Sequence, residues 1–167
     1  YELTMDFLAA EGFSHYEVSN YCKPGYECKH NTIYWDCENY LSFGTSAHSY
    51  MEGKRWWNYS ALSIYNSAVE KRGEAVAGSE LLTAEDLYEE YVMLALRSKG
   101  LKRNGSSTLS ALESVERGEG LPDAWFEERA GIIVPLIAQE RLVWDSDLLR
   151  LTRNGFSVCD EIVERLL

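Results

Sequence analysis

The sequence lacks long apolar runs and is poor in cationic residues. No stretch approaches the roughly 18 consecutive apolar residues of a membrane-spanning helix, and no signal-peptide pattern opens the chain. Sixteen Lys and Arg residues stand against 27 Asp and Glu residues, so the formal net charge is −11 at pH 7. An acidic surface repels phosphate backbones. We therefore expect neither a membrane-spanning protein nor a nucleic-acid partner.

An initiator methionine and a closely spaced cysteine motif are also missing. The chain opens at Tyr1 inside a helical pattern, so we expect a piece of a longer protein. Cys22, Cys28 and Cys37 are separated by five and eight residues, and Cys159 stands alone. Zinc sites use gaps of roughly two to four residues, and iron–sulfur motifs are also tighter. We expect free thiols in a reducing cytoplasm; a metal site formed by the first three cysteines is the alternative.

The first half of the chain alternates helix and strand signals. Apolar residues at helical spacing predict a helix over 2–11, and residues 16–19 predict a short strand. A helix followed by a strand is half of a βαβ unit. Further along, the pattern predicts a β-prone segment at 33–35, a helix at 60–72 and a linker at 73–78.

The second half is mainly helical. Thr83 and Asp86 form a variant of the capping box, which predicts the start of a helix that runs to about Ser98. The remaining signals predict a short helix at 108–116, a helix at 123–140, a hairpin at 142–151 and a last helix that Thr152 caps. Helices followed by a two-stranded hairpin and a last helix are typical of a winged-helix module. We therefore divide the chain into domains 1–75 and 80–167.

Five short motifs follow one another along the chain. They are YEVSNY at 16–21, KPG at 23–25, HNTIYW at 30–35, YLSFGTSAHSY at 40–50 and LTRNG at 151–155. Together they resemble the HemN/HemW family of radical-SAM proteins, whose members carry YEISN, PG, HNxxYW, YLGxGxGAHS-like and LTxxG elements in this order. The resemblance spans nearly the whole chain.

The resemblance implies a fold of class α/β plus α. Residues 1–75 would supply the C-terminal strands of a TIM-barrel-like radical-SAM domain, and 80–167 the helical, winged-helix-like domain that follows it. The family's CxxxCxxC motif, which binds a 4Fe-4S cluster, is absent from this chain. The resemblance therefore implies that the cluster and S-adenosylmethionine belong to the full-length parent, and that this piece alone is inactive as an enzyme.

Within the family, HNxxY marks the haem-binding branch, and His30, Asn31 and Tyr34 match its three positions. A neutral imidazole is a good axial ligand for haem iron, and the asparagine would hold the backbone by a hydrogen bond. The ring of Tyr34, with that of Trp35, offers a flat apolar surface to a porphyrin. A purely structural histidine is the alternative, and Cys28 is a second candidate ligand.

Four small residues after a predicted strand match the family segment that lies near S-adenosylmethionine at the mouth of the barrel: Gly44, Ser46, Ala47 and Ser49. Small residues let the backbone approach a ligand closely. Ser46 replaces a glycine of the family pattern and fits if its φ is negative; a tight turn that only packs on the barrel is the alternative. On the predicted barrel strand, Glu17 and Ser19 alternate with apolar residues and are expected to face the lumen.

Three functions remain open. The first is part of a haem chaperone that binds haem and delivers it to haem-accepting apoproteins. The second is part of an oxygen-independent coproporphyrinogen III oxidase, which decarboxylates propionate side chains in porphyrin synthesis. The third is a winged-helix interaction module, although the acidic last helix argues against DNA. An incomplete barrel exposes a strand edge, so we expect residues 1–75 either to be partly rearranged or to be protected by self-association, for example in a homodimer.

Overall fold

A computed structural model of the chain describes residues 1–105 and 109–167. Its first part contains helices α1 (Glu2–Ala10), α2 (Lys29–Trp35) and α3 (Leu62–Arg72), and strands β1 (Ser14–Glu17), β2 (Asn20–Cys22), β3 (His48–Met51), β4 (Lys54–Asn58) and β5 (Val76–Leu81). The predicted helices at 2–11 and 60–72 are therefore confirmed. The predicted linker at 73–78 is wrong over its second half, because residues 76–78 lie in β5, which pairs with β4.

The second part begins with the longest described helix, α4 (Ala84–Arg97). It continues with β6 (Leu101–Lys102), α5 (Ala111–Glu116), α6 (Asp123–Glu128), α7 (Ala130–Ala138), β7 (Leu142–Asp145), β8 (Leu148–Leu151), α8 (Arg153–Phe156) and α9 (Cys159–Leu166). The capping box at Thr83 and the hairpin at 142–151 are confirmed. Part of the predicted helix 108–116 lies outside the described residues.

Two helices predicted as continuous are each divided in two. The helix at 123–140 is interrupted at Arg129, whose backbone lies at φ −97° and ψ 7°. Its guanidinium donates to the Leu166 carbonyl at 2.6 Å and to the Tyr88 hydroxyl at 3.2 Å, so the break is held by contacts with α9 and α4. The last helix is interrupted in the same way between α8 and α9.

Within the described residues, all pairings between named strands are antiparallel, in three small sheets with the orders β1–β2, β3–β4–β5 and β6–β8–β7. These residues form no closed barrel. The fold is thus a mixed α/β fold, and the expected parallel βαβ half-unit is wrong for the strand at 16–19. This strand ends at Glu17, and the chain turns back through Val18 and Ser19 into β2.

The main apolar core lies in the second half. Its buried side chains include Val92 and Leu96 of α4, Leu136 of α7 and Ile162 of α9, all at most 1% exposed. Fully burying one such side chain contributes about 1.5–3 kcal/mol. The first half buries few apolar residues, so its position depends on contacts with this core. One of them is the 3.1 Å hydrogen bond from the Val18 N–H to the Arg97 carbonyl at the end of α4.

No helix in the part of the chain that the structure describes is long and apolar enough to cross a bilayer.

Candidate functional site

The predicted haem-binding residues lie on helix α2. The expected β-prone segment at 33–35 is therefore wrong, because these residues continue the helix that begins at Lys29. Residues four apart lie on the same side of a helix, whereas adjacent residues are about 100° apart. The helix thus brings His30 and Tyr34 together and turns Asn31 away from them. The side chain of Asn31 makes no hydrogen bond within the described residues.

The imidazole of His30 is exposed and is held by one neighbour. The Tyr34 hydroxyl lies 3.0 Å from Nε2, and the two rings meet edge-to-face with centroids 4.9 Å apart at 89°. Nδ1 has no hydrogen-bond partner among residues 1–105 and 109–167. The ring is therefore oriented by its neighbour and still accessible from solvent, unlike the buried and fully bonded ring of a structural histidine.

Tyr34 packs against Tyr40, which in turn pairs with Tyr50. Its ring meets Tyr40 with centroids 4.4 Å apart at 65°, and Tyr40 lies 6.1 Å from Tyr50. The backbones of Tyr40 and Tyr50 exchange two hydrogen bonds of 2.8 and 2.9 Å, which fixes the pair. Burial raises the pKa of both phenols, so both are neutral at physiological pH. This support could not be predicted from the sequence, because no spacing in the sequence relates residue 40 to residue 34.

The opposite side of α2 packs on the β1–β2 hairpin. Trp35 meets the ring of Tyr16 edge-on at 5.6 Å, and the N–H of Cys28, at the N-cap, donates to the Tyr16 hydroxyl at 3.3 Å. At the other end of the helix, Asp36 forms an ion pair with Lys99, which follows α4. Helix α2 is thus attached to the second half of the chain while its His30 side stays open.

The donor set fits haem iron better than a free metal ion. An imidazole is a common axial donor to haem iron, and the exposed ring of His30 beside Tyr34 is a donor of that type. Within the described residues, no three His, Cys, Asp or Glu side chains are grouped so that they could hold a metal ion. Burial raises the pKa of Cys37, and raises that of Cys159 to about 11, so both remain protonated thiols at neutral pH.

The small-residue segment is a turn that β4 and α3 hold in place. The Gly44 N–H donates to the Tyr65 hydroxyl at 3.2 Å, and the Asn58 amide donates to the Gly44 carbonyl at 2.9 Å. Ser49 is buried, and its hydroxyl accepts the Ser42 N–H at 3.0 Å. These bonds shape the segment from within, while Ala47 is half-buried. Proximity to S-adenosylmethionine stays a prediction for all four small residues.

Ser46 differs from the expected backbone conformation. A negative φ is expected if a serine is to fit at this position, but the φ of Ser46 is +57°, in the left-handed region that favours glycine. The Ser46 N–H donates to the Tyr59 carbonyl at 3.1 Å, which holds the residue in this conformation. Ser46 therefore adopts a left-handed conformation that glycine adopts without steric cost.

We expect Ser46→Gly to stabilise the chain by about 1 kcal/mol, because glycine adopts a positive φ without the steric cost that serine has there. The measurement is the urea midpoint of unfolding followed by circular dichroism. Ser60→Gly, at an exposed serine without a positive φ, is the control and should destabilise slightly through unfolded-state entropy. Equal shifts for the two variants would contradict the argument.

Glu17 and Ser19 lie at the tip of the β1–β2 hairpin. Glu17 is buried, and its carboxylate accepts the Ser19 N–H at 3.0 Å, the Ser19 hydroxyl at 3.1 Å and the Asn20 amide at 2.5 Å. The carboxylate thus closes the turn that replaces the predicted straight strand. Ser19 is exposed in this arrangement. An orientation of these two residues towards a barrel lumen stays a prediction.

The two neighbouring tryptophans belong to the β3–β4–β5 sheet. Trp57 is stacked on His48 at 5.8 Å and lies directly over Gly78, where an added Cβ would be 2.6 Å from its ring. Trp56 is half-buried and lines a shallow groove on the sheet with Met51 and Lys54. Trp57 therefore packs within the sheet, whereas Trp56 remains partly accessible.

The chain is similar in sequence to individual known proteins. No family model matches this chain. Over its whole length it is 36% identical to a protein named heme chaperone HemW from Lactococcus lactis and 37% identical to one from Mycobacterium tuberculosis. The chain spans only 41% and 38% of these two relatives.

A solved structure shares the fold. It is the coproporphyrinogen III oxidase HemN from Escherichia coli, described as a radical SAM enzyme, with a TM-score of 0.67 and 18% identity. The match covers 99% of this chain and 39% of that one. The likeness shows a common fold, and together with the two relatives it confirms the resemblance predicted from the five motifs.

Proposed function

Since this chain matches proteins of the HemN/HemW family over its whole length, we propose that it is part of a haem chaperone of that family, in which His30 binds haem. The relatives that it matches are named heme chaperones. Because the chain spans about two fifths of their length, haem binding and delivery to haem-accepting apoproteins are proposals for the parent protein.

The accessible imidazole of His30 carries this proposal. It is exposed on α2 and is oriented by Tyr34, whose hydroxyl is the only hydrogen-bond partner of the ring among the described residues. Haem, when bound, supplies an iron with an axial position that an imidazole fills. His30 would donate a nitrogen lone pair to the iron, and Tyr34 orients the ring in the haem-free protein. Asn31 would contribute to the site only after a change of side-chain orientation.

The remaining family features are proposed for the full-length parent. These are a 4Fe-4S cluster and S-adenosylmethionine, with Gly44, Ser46, Ala47 and Ser49 near the latter. The bonded turn around Gly44 supports this proposal, since a fixed backbone at φ +103° offers a surface that no side chain covers at that residue. In the same parent, residues 1–75 would complete the barrel and place Glu17 and Ser19 at its lumen.

We also propose that residues 80–167 form a winged-helix-like module for covering substrate or docking a partner. Support comes from the helices α4, α5 and α6–α7 placed before the β7–β8 hairpin, and from the sheet order β6–β8–β7. Acidic residues of α9 pair with Arg97 and Arg141 at 2.7 and 3.9 Å. A surface of this charge suits a protein partner rather than nucleic acid.

A coproporphyrinogen III oxidase is the second candidate, because the solved structure that shares the fold is such an enzyme. The two candidates differ in what the full-length parent does with its porphyrin. Turnover of coproporphyrinogen III by the full-length parent would support the enzyme, and haem binding without turnover would support the chaperone.

We expect His30→Ala to weaken haem binding by this chain at least about tenfold, because the axial donor is lost. The measurement is a titration with haem followed at the Soret band, with circular dichroism to verify folding. His48→Ala is the matched control, since His48 is also exposed but packs on Trp57 away from α2. An unchanged Soret spectrum and Kd in His30→Ala would refute the proposal.

A further inference from the structure

We infer that Tyr34 controls the release of haem, because its hydroxyl occupies the nitrogen of His30 that the iron would bind. The inference rests on the proposed function above and concerns the same site. It assigns to Tyr34 a positioning and competing role rather than that of an axial ligand.

The geometry places the hydroxyl of Tyr34 at Nε2 of the imidazole. Its oxygen lies 3.0 Å from Nε2, and the two rings are perpendicular, at 89° to each other. Nε2 is the ring nitrogen farther from the backbone, so a porphyrin plane approaches it with less obstruction than Nδ1. Nε2 accepts or donates the bond to Tyr34 depending on the tautomer. In both cases this bond must break before iron binds there.

Tyr34 cannot simply follow the imidazole or swing far away. Its ring is held against Tyr40 at 4.4 Å, and Tyr40 is fixed to Tyr50 by two backbone hydrogen bonds. The hydroxyl of Tyr34 has no other partner among the described residues. Iron binding at Nε2 therefore requires the exposed imidazole to rotate away from the hydroxyl, which stays in place and can bond Nε2 again when the iron leaves.

A carrier benefits from this competition, because it must give up its ligand. A neutral hydrogen bond changes an equilibrium by about two- to tenfold once exchange with water is included. The Tyr34–His30 hydrogen bond stabilises the haem-free protein relative to the haem-bound protein by about this two- to tenfold factor. Haem therefore binds more weakly than it would to an imidazole without such a partner. The recaptured bond also orients His30 for the next haem.

The experiment compares Tyr34→Phe with Tyr26→Phe in this chain. Phenylalanine keeps the ring that packs on Tyr40 and removes only the hydroxyl. Tyr26 is a strongly exposed tyrosine without a bond to His30, so its variant is the matched control. The readouts are the haem Kd from the Soret band, the rate of haem loss to a scavenging apoprotein, and the nitrogen chemical shifts of His30 in haem-free protein.

We expect Tyr34→Phe to bind haem about two- to tenfold more tightly and to release it more slowly, with a shifted Nε2 resonance before haem is added. Tyr26→Phe should match the wild type in all three readouts. A merely structural tyrosine, or one that ligates iron itself, predicts weaker binding in Tyr34→Phe; that result, or no change, overturns the inference. If His30→Ala binds haem like the wild type, the proposed function itself fails.

Discussion

Gly155→Ala should destabilise the chain by at least about 2 kcal/mol, because the new methyl group has no room. A Cβ at this position would lie 2.0 Å from the Arg141 carbonyl oxygen and 2.9 Å from a methyl of Leu151. The same carbonyl already accepts the Thr152 N–H at 3.0 Å, and the Thr152 hydroxyl accepts the Gly155 N–H at 3.2 Å. Moving α8 away would weaken both bonds.

The matched control for this variant is Gly131→Ala. Gly131 lies in helix α7, where an added Cβ meets no atom within 4 Å. Alanine there should stabilise by about 0.5–1 kcal/mol, because glycine has the larger backbone entropy in the unfolded chain. Urea unfolding followed by circular dichroism gives both values. Opposite signs for the two alanines are expected, and a neutral Gly155→Ala would show that α8 adapts without cost.

Leu96→Ala is expected to destabilise the chain by about 2–5 kcal/mol, since it removes three carbons from a packed core and leaves a cavity. Leu96 is 1% exposed at the C-terminal end of α4. The next residue, Arg97, accepts the hydrogen bond from Val18 and forms the 2.7 Å ion pair with Asp160. Loosening this end of α4 should therefore also weaken the attachment of the β1–β2 hairpin.

An exposed leucine provides the comparison for Leu96. Leu81 ends strand β5 and is 76% exposed, so Leu81→Ala should change the free energy of unfolding by no more than about 0.5 kcal/mol. Both variants are measured by urea unfolding under the same conditions. Similar values for the two leucines would show that the second half of the chain is not packed as described.

The predictions for Gly155 and Leu96 bear on the proposed function, because the core of the second half holds helix α2, which carries His30. The ion pair between Lys99 and Asp36 joins the end of α2 to the segment after α4. Arg55 of β4 similarly pairs with Glu90 of α4 at 2.5 Å and with Glu80 of β5 at 3.3 Å. Helix α2 and strand β4 are thus both held by ion pairs with the second half of the chain.

The glycine of the LTRNG motif illustrates how a sequence pattern gains a physical reason. In the sequence, Gly155 is known only as the last residue of a motif that resembles the family pattern. In the structure it is the point where α8 approaches the Arg141 carbonyl so closely that no side chain fits. Residue 46 is a second example. It is a serine where the family pattern has a glycine, and its positive φ gives a physical reason for a glycine at that position.

Local signals in the sequence correctly predicted helix α1, the capped start of α4 and the β7–β8 hairpin. Each of these elements depends on residues only a few positions apart. The five motifs that carry the family resemblance are likewise visible in the sequence alone. The tertiary structure alone decided that the HNTIYW segment is helical, that residues 76–81 form a strand, and that Arg129 interrupts a helix. It also placed Tyr40 behind Tyr34. Strand pairing and aromatic packing depend on partners distant in the chain, and short-range periodicity carries no information about those partners.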